Sequence, residues 1–345
     1  MNIKMFLNKH NISLWLLGFA WFATVFSACI EIEEYDNSPR GNFEALWKIM
    51  DEQYCFFDYK NVDWDSIHTV YSGKIDNQMN QVALFDSLDA MLQEVKDGHV
   101  NLYSPFDVGR YWKWFEDYPA NYNQELTDKY LGQTYRIAGG MRYQMLEDSI
   151  GYVRYADFSL PIGETGIQYV LASFQKCKGI IIDVRNNGGG LLSNSELLAS
   201  HFFTKKTLVG YIQHKTGKGH NDFSEPYPQY IEPATYWICK QPVVVLTNRK
   251  CYSATNDFVN AMKRATNVTI LGDQTGGGSG LPFSSELPNG WSVRFSACPM
   301  YNADNEQIEF GIEPDVWYSL SPEDVAGGKD TLIEAARALI QEKDV

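Results

Sequence analysis

Apolar residues along this chain fall into two textures. From Asn42 to about Tyr103 they recur at helical spacing. The runs "NFEALWKIMDEQYCFF" and "MNQVALFDSLDAMLQEVKDG" place them at i, i+3, i+4 and i+7, and the second closes on the stop signal "KDG". Residues 42–104 are therefore expected to form a small helical N-terminal subdomain, with Trp47, Tyr54, Phe56 and Phe57 packing its interior. Residues 105–147 are aromatic and irregular, and read as a connector. From Ile150 continuous apolar runs alternate with amphipathic ones. "IGYVRYADF", "GIIIDVR", "PVVVLTN" and "VTILGD" read as strands; "IGETGIQYVLASFQ", "SNSELLASHFF" and "SATNDFVNAMKRA" read as helices. Strands apolar on both faces need cover on both faces, as a largely parallel sheet has, so residues 148–345 are expected to be an α/β core. "SSELPNGWSVRFSACPMY" predicts a hairpin turning at Asn289–Gly290. The end of the chain opens with a Ser-Pro-Glu cap and closes as an amphipathic helix.

Composition narrows the class. The 345 residues are 44% hydrophobic and 14% aromatic, enough to bury a large core. The net charge of −14 comes with no basic stripe, which argues against a nucleic-acid partner. At the start, "MNIKMFLNKH" is basic and "ISLWLLGFAWFATVF" is apolar but short for a membrane span, the proportions of a signal-peptide core. "FSAC" resembles a bacterial lipobox, with Phe26 where leucine is usual. That resemblance implies a signal peptide over residues 1–28, a lipidated Cys29 as first residue of the mature chain, and a tether over 29–41. The acidic "EIEEYDNSP" resembles the signals that send some lipoproteins to the cell surface. The expected location is the bacterial cell envelope, anchored by lipid to the outer membrane and facing periplasm or exterior, with no other membrane contact. An ordinary secretory signal with a chance cysteine is the competing reading. Cys55, Cys177, Cys239, Cys251 and Cys298 are scattered and lack CxxC spacing, so neither a disulfide framework nor a metal site is signalled.

Three short stretches lie at the ends of predicted elements, where open α/β sheets build their sites. They are "KDGHVNLYSP" with His99, "DVRNNGGGLLSNSE" with Asn186 to Gly190, and "CYSATND" with Ser253. Ser253 admits two readings: a helix N-cap, or a nucleophile at a helix N-terminus whose backbone donors favour an oxyanion. The glycine triplet is followed by no Lys-Ser/Thr and lacks GxGxxG spacing, so no nucleotide cofactor is expected. Without Cβ atoms it could instead turn backbone N–H groups toward a substrate carbonyl. A lone loop histidine is more often structural, yet serine, histidine and a glycine-rich donor loop are together the parts of acyl transfer.

The motifs "VKDGHVNLYS", "GIIIDVRNNGGG", "VVVLTNRKCYSATNDF", "LGDQTGGGSG" and "FGIEPDV" occur in the order found in the S41 peptidases, the tail-specific, C-terminal processing and tricorn-like serine proteases. The resemblance spans roughly Asp97 to Val316 and implies a crotonase/ClpP-like α/β core. It implies Ser253 as nucleophile in Ser253-Ala254-Thr255-Asn256, with Asn256 departing from the usual glutamate in a way expected to affect packing more than chemistry. The lysine base of processing peptidases has no counterpart: the matching turn carries Gly278, and no lysine lies between Arg264 and Lys329. The tricorn-like branch uses a histidine from the "DGH" motif, which implies His99 as general base. It also implies an orienting acid, Glu309 in "EFGIEPD" or, failing that, Glu306. Oxyanion donors would be the amides of Gly189 (or Gly188) and Ala254. An ordinary imidazole pKa near 6.5 would make activity rise through pH 6 to 7. The connector is too short for the PDZ domain of many processing enzymes, which would need roughly twice that length. The expectation is a secreted, lipid-anchored serine peptidase acting on peptides or unfolded proteins through an acyl-enzyme. The alternative is a non-catalytic peptide- or apolar-ligand-binding protein on the same scaffold.

Overall fold

In the computed structural model, which describes residues 35–343, the apolar runs become strands whose two faces meet two different helical layers. In chain order the strands are β1 Asn101–Tyr103, β2 Val108–Arg110, β3 Arg136–Ala138, β4 Met141–Met145, β5 Ile150–Tyr155, β6 Gly179–Asp183, β7 Thr207–Ile212, β8 Tyr227–Ile231, β9 Val243–Thr247, β10 Val268–Gly272, β11 Leu281–Glu286, β12 Ser292–Cys298, β13 Met300–Asn302 and β14 Val316–Trp317. The central sheet has the order β14-β10-β9-β6-β5-β4-β3. It is parallel from β14 to β5, and antiparallel through β4 and β3.

Alternation within the buried strands explains the continuous apolar sequence. Ile180, Ile182, Val243 and Val245 pack with Ile167, Val170, Leu198, Phe258 and Val259 of helices Glu164–Ser173, Leu192–Ser200 and Ala254–Met262. Their neighbours Ile181, Val244 and Leu246 face Leu332, Ile333, Ala336 and Ile340 of the last helix, Thr331–Lys343. Successive side chains point to opposite faces, so a sheet covered on both sides must be apolar at every position. Each such side chain contributes roughly 1.5–3 kcal/mol on burial. At the end of β6 the fully buried Arg185 guanidinium pairs with Asp183 at 2.7 Å and with Asp330, just before the last helix, at 3.0 Å. The parallel strands all run the same way, so the loops after β6, β9 and β10 gather at one edge.

The N-terminal helices Pro39–Gln53, Trp64–Ser72 and Gln81–Gln93 start at Ser38, Asp63 and Asn80, each of whose side chains accepts an N–H of its first turn. The first helix stops at Gln53, so Tyr54 to Phe56 leave the predicted run as buried non-helical residues. Residues 101–103, expected at the end of the helical region, are strand β1. It lies in the antiparallel sheet β11-β12-β1-β2, paired with β12 of the predicted Asn289–Gly290 hairpin. The connector is more ordered than its sequence suggests: it contains β2, helices Lys113–Glu116 and Gln124–Leu131, and the β3–β4 hairpin that extends the central sheet. The α/β core with a small helical region before it otherwise follows the sequence reading. Strands β13, β7 and β8 form a third, antiparallel sheet. Among the described residues no helix is long and apolar enough to cross a membrane. Cys29 and the proposed signal peptide lie outside the described residues.

Candidate active site

Ser253 sits where the chain leaving β9 enters helix Ala254–Met262. Its backbone is at φ 57°, ψ −125°, and its side chain makes no capping hydrogen bond. A positive φ in a non-glycine residue costs of order 1–3 kcal/mol and persists only where the surroundings enforce it. Here the Ser253 N–H donates to Gly277 O at 2.8 Å, the Tyr252 N–H to Asn187 O at 3.1 Å, and Ser253 O accepts from the Asp257 N–H at 3.1 Å. The hydroxyl is thus excluded from the one local role that helix geometry offers it. Gly189 packs directly against this corner; a Cβ there would lie 2.7 Å from Ser253 Cβ, and its φ of +103° also demands glycine. Asn256 holds the helix from beneath, donating to Ile308 O at 3.1 Å and accepting from Thr275 Oγ1 at 2.6 Å.

His99 follows the helix Gln81–Gln93 and precedes β1. Its N–H donates to Asp97 Oδ1 at 2.8 Å, and its ring meets Tyr252 edge-on at 4.9 Å. It is 3% exposed, and among the described residues its Nδ1 has no hydrogen-bond partner. Burial lowers its pKa to about 4, with Asp97 opposing and the Arg294 and Lys60 charges adding to the effect. This differs from the ordinary value assumed for a loop histidine, because the loop lies under Tyr252 rather than in water.

A residue that the sequence pattern did not mark dominates the electrostatics. Lys60, with a side chain 6% exposed, lies 2.7 Å from Glu309 Oε1 and 3.3 Å from Asp97 Oδ2. Tyr54 and Ser296 hydroxyls also donate to Asp97, at 2.9 and 3.0 Å. Burial alone would raise Asp97, but Lys60 brings it down to about 2. Burial pushes Glu309 up to about 7, with Lys60 opposing and Asp97 adding. One cation between two carboxylates offsets only part of their combined charge, and Glu309 is the one whose proton is held more tightly. Glu309 Oε2 accepts the Ser279 N–H at 2.8 Å, and among the described residues no Glu309 hydrogen bond reaches His99. Glu306 is exposed in a turn with Asn302.

His99, Gly190, Ser253, Ala254, Gly278 and Ser279 line one cavity of about 260 Å³. Of the sequence-derived donors, Gly189 has its N–H committed to Asn187 Oδ1 at 3.0 Å, and Gly188 is exposed. The amides of Ala254 and Gly190 have no hydrogen-bond partner among the described residues. At Gly278 a Cβ would lie 2.4 Å from the Tyr252 ring, which leaves no room for a lysine. The arrangement offers an uncapped serine hydroxyl, a neutral buried imidazole and two open amides on one wall. Arg294 also lines it, and like Lys60 it carried no motif.

Residues 149–318 match peptidase family S41, and residues 35–93 match the tricorn protease C1 domain. The chain is similar to a candidate peptidase of known structure from Parabacteroides merdae, with 56% identity, a TM-score of 0.85, and 88% of this chain and 97% of that one covered. It is 26% identical to the carboxy-terminal processing protease CtpA of Bacillus subtilis over 50% of this chain and 36% of that protein. It is also 26% identical to a candidate tricorn-like protease C-terminal subunit of Sulfurisphaera tokodaii, over 63% of this chain and 24% of that protein. The chain therefore spans about a third or less of the length of these two curated relatives.

Proposed function

Since this chain belongs to peptidase family S41, we propose that it is a serine peptidase that hydrolyses peptide bonds in peptides or unfolded proteins through an acyl-enzyme. Ser253 Oγ attacks the carbonyl carbon while His99, neutral at working pH, takes the hydroxyl proton. The negative oxygen of the tetrahedral intermediate is received by the Ala254 and Gly190 amides; Gly189 joins them only if Asn187 releases its N–H. His99 then protonates the leaving amine, and water repeats the sequence to free Ser253. Lys60, Asp97 and Glu309 act as positioning residues, Asp97 through the His99 backbone and Glu309 through Ser279. The observation that carries this reading is the shared cavity of Ser253 and His99, with the serine strained and uncapped at its wall. We further propose that Cys29 is lipidated and holds the enzyme at the cell envelope.

A fluorophosphonate probe tests the chemistry, because it labels only an activated serine. Labelling and peptide hydrolysis are both expected in the unaltered chain and abolished in Ser253→Ala, with the melting temperature little changed. An unlabelled, correctly folded wild-type protein would favour the ligand-binding alternative.

A further inference from the structure

Arg294 differs from Lys60 and Arg185, and from Arg249, whose guanidinium is taken up by the backbone oxygens of Trp114, Thr275 and Phe310. Lys60 and Arg185 each face two carboxylates. Arg294, half-buried on β12, has no carboxylate within ion-pair distance among the described residues, although the chain carries 43 acidic residues and a net charge of −14. Among the described residues its guanidinium makes one hydrogen bond, from Nη1 to Asn101 Oδ1 at 3.4 Å, a long contact to a neutral group. Arg294 lines the same cavity as Ser253 and His99, whose walls are otherwise largely glycine and apolar side chains such as Leu191, Leu281, Met300 and Ile308. Besides His99, the cavity has one more ionisable wall group, Asp257. It accepts from Ser195 Oγ at 3.2 Å and makes no ion pair with Arg294. A charge left unpaired at a partly dry wall is costly to the protein unless something arrives to neutralise it.

We propose that Arg294 is a specificity-determining residue that receives a carboxylate of the substrate in the cavity beside Ser253. The planar guanidinium fork matches a carboxylate bidentately, and a contact of this kind in a partly desolvated site discriminates strongly against an uncharged analogue. The carboxylate comes either from an acidic side chain close to the scissile bond or from the free C-terminus of the peptide. This deepens the peptidase reading and rests on it.

The full chain is assayed with fluorogenic peptides in two matched series: glutamate against glutamine near the cleaved bond, and a free against an amidated C-terminus. In one series kcat/KM is expected to favour the anionic peptide by roughly 10–100-fold, the scale of a hydrogen-bonded charge contact. The ratio should collapse toward one in Arg294→Gln and reverse toward a lysine-bearing peptide in Arg294→Glu. Comparing ratios cancels the effect of the Arg294 charge on His99. Collapse in the glutamate series assigns the side chain, and collapse in the C-terminal series assigns the terminus. Unchanged ratios in Arg294→Gln, with Ser253 still labelled by fluorophosphonate, would overturn the proposal. If the wild-type chain shows neither labelling nor turnover, the peptidase reading has failed. Fluorescence-polarisation binding of the same peptides to Ser253→Ala then tests Arg294 on its own, and equal affinity for charged and neutral peptides overturns it.

Discussion

Replacing Lys60 by methionine removes a positive charge but little volume, and so isolates what that charge does. In the wild type the ammonium lies 3.3 Å from Asp97 and 2.7 Å from Glu309, with all three side chains at most 6% exposed. Glu309 is already pushed up toward neutrality and can keep its proton. Asp97 cannot adapt so cheaply, because the Tyr54 and Ser296 hydroxyls and the His99 N–H are all arranged to donate to it. Lys60→Met therefore leaves a buried carboxylate without its counter-charge, which costs about 3–5 kcal/mol. Taking about 2 °C per kcal/mol for a chain of this size, the melting temperature should fall by roughly 6–10 °C. Equilibrium denaturation at pH 7 supplies the free energy directly. Adding Asp97→Asn, which keeps an acceptor for the His99 N–H but removes the stranded charge, should recover roughly 1–3 kcal/mol as coupling between the two sites. A Lys60→Met protein within about 1 kcal/mol of wild type, or a double variant no more stable than the single, would refute the idea that this lysine neutralises the cluster.

Three further expectations concern the base and the anchor. Burial lowers His99 to about 4, so the proton-accepting neutral form is already dominant above that pH. His99 should therefore add no inflection to kcat/KM between pH 6 and 7, where Glu309, pushed up to about 7, is the group of the cluster that titrates; an inflection near 6.5 that survives Glu309→Gln would show an imidazole in water-like surroundings instead. His99→Gln should cost roughly 100-fold or more in kcat/KM at any pH in that window, the usual scale for a lost general base; near-normal turnover would place the base elsewhere. Cys29→Ser should move the protein from the membrane to the soluble fraction on cell fractionation, and unchanged partitioning would count against lipidation.

The central sheet was legible because Gly179–Asp183 and Val243–Thr247 are apolar at every position, a pattern that few structures other than a doubly covered strand require. Strand β4 was legible in principle: Met141-Arg142-Tyr143-Gln144 alternates, and its burial alternates with it, but the surrounding aromatic residues hide a run so short. Strand β1 was not legible, because three residues carry no period and its partner β12 is nearly two hundred residues away. The site divides in the same way. Ser253 and His99 lie in compact local motifs. Lys60 lies in "FDYKN", the four-residue helix Phe57–Lys60, and nothing in the local sequence marks it for burial. Only the arrival of Asp97 and Glu309 from elsewhere in the chain turns it into a buried counter-ion. The low pKa of His99 has the same origin, since the Tyr252 ring that covers it comes from the other half of the protein.

The pairing of β1 with β12 also bears on the order in which the candidate site is assembled during synthesis. His99 and Ser253 have both left the ribosome well before Ser292–Cys298, yet the strand that follows His99 has no neighbour on that side until β12 is made. Glu309, which holds Ser279 at the cavity wall, is translated later still. Contacts this distant in sequence form late, after the loop between them has closed. A growing chain thus carries the serine and the histidine without the frame that seats them, and on the proposed peptidase reading a product truncated before β12 is expected to be inactive.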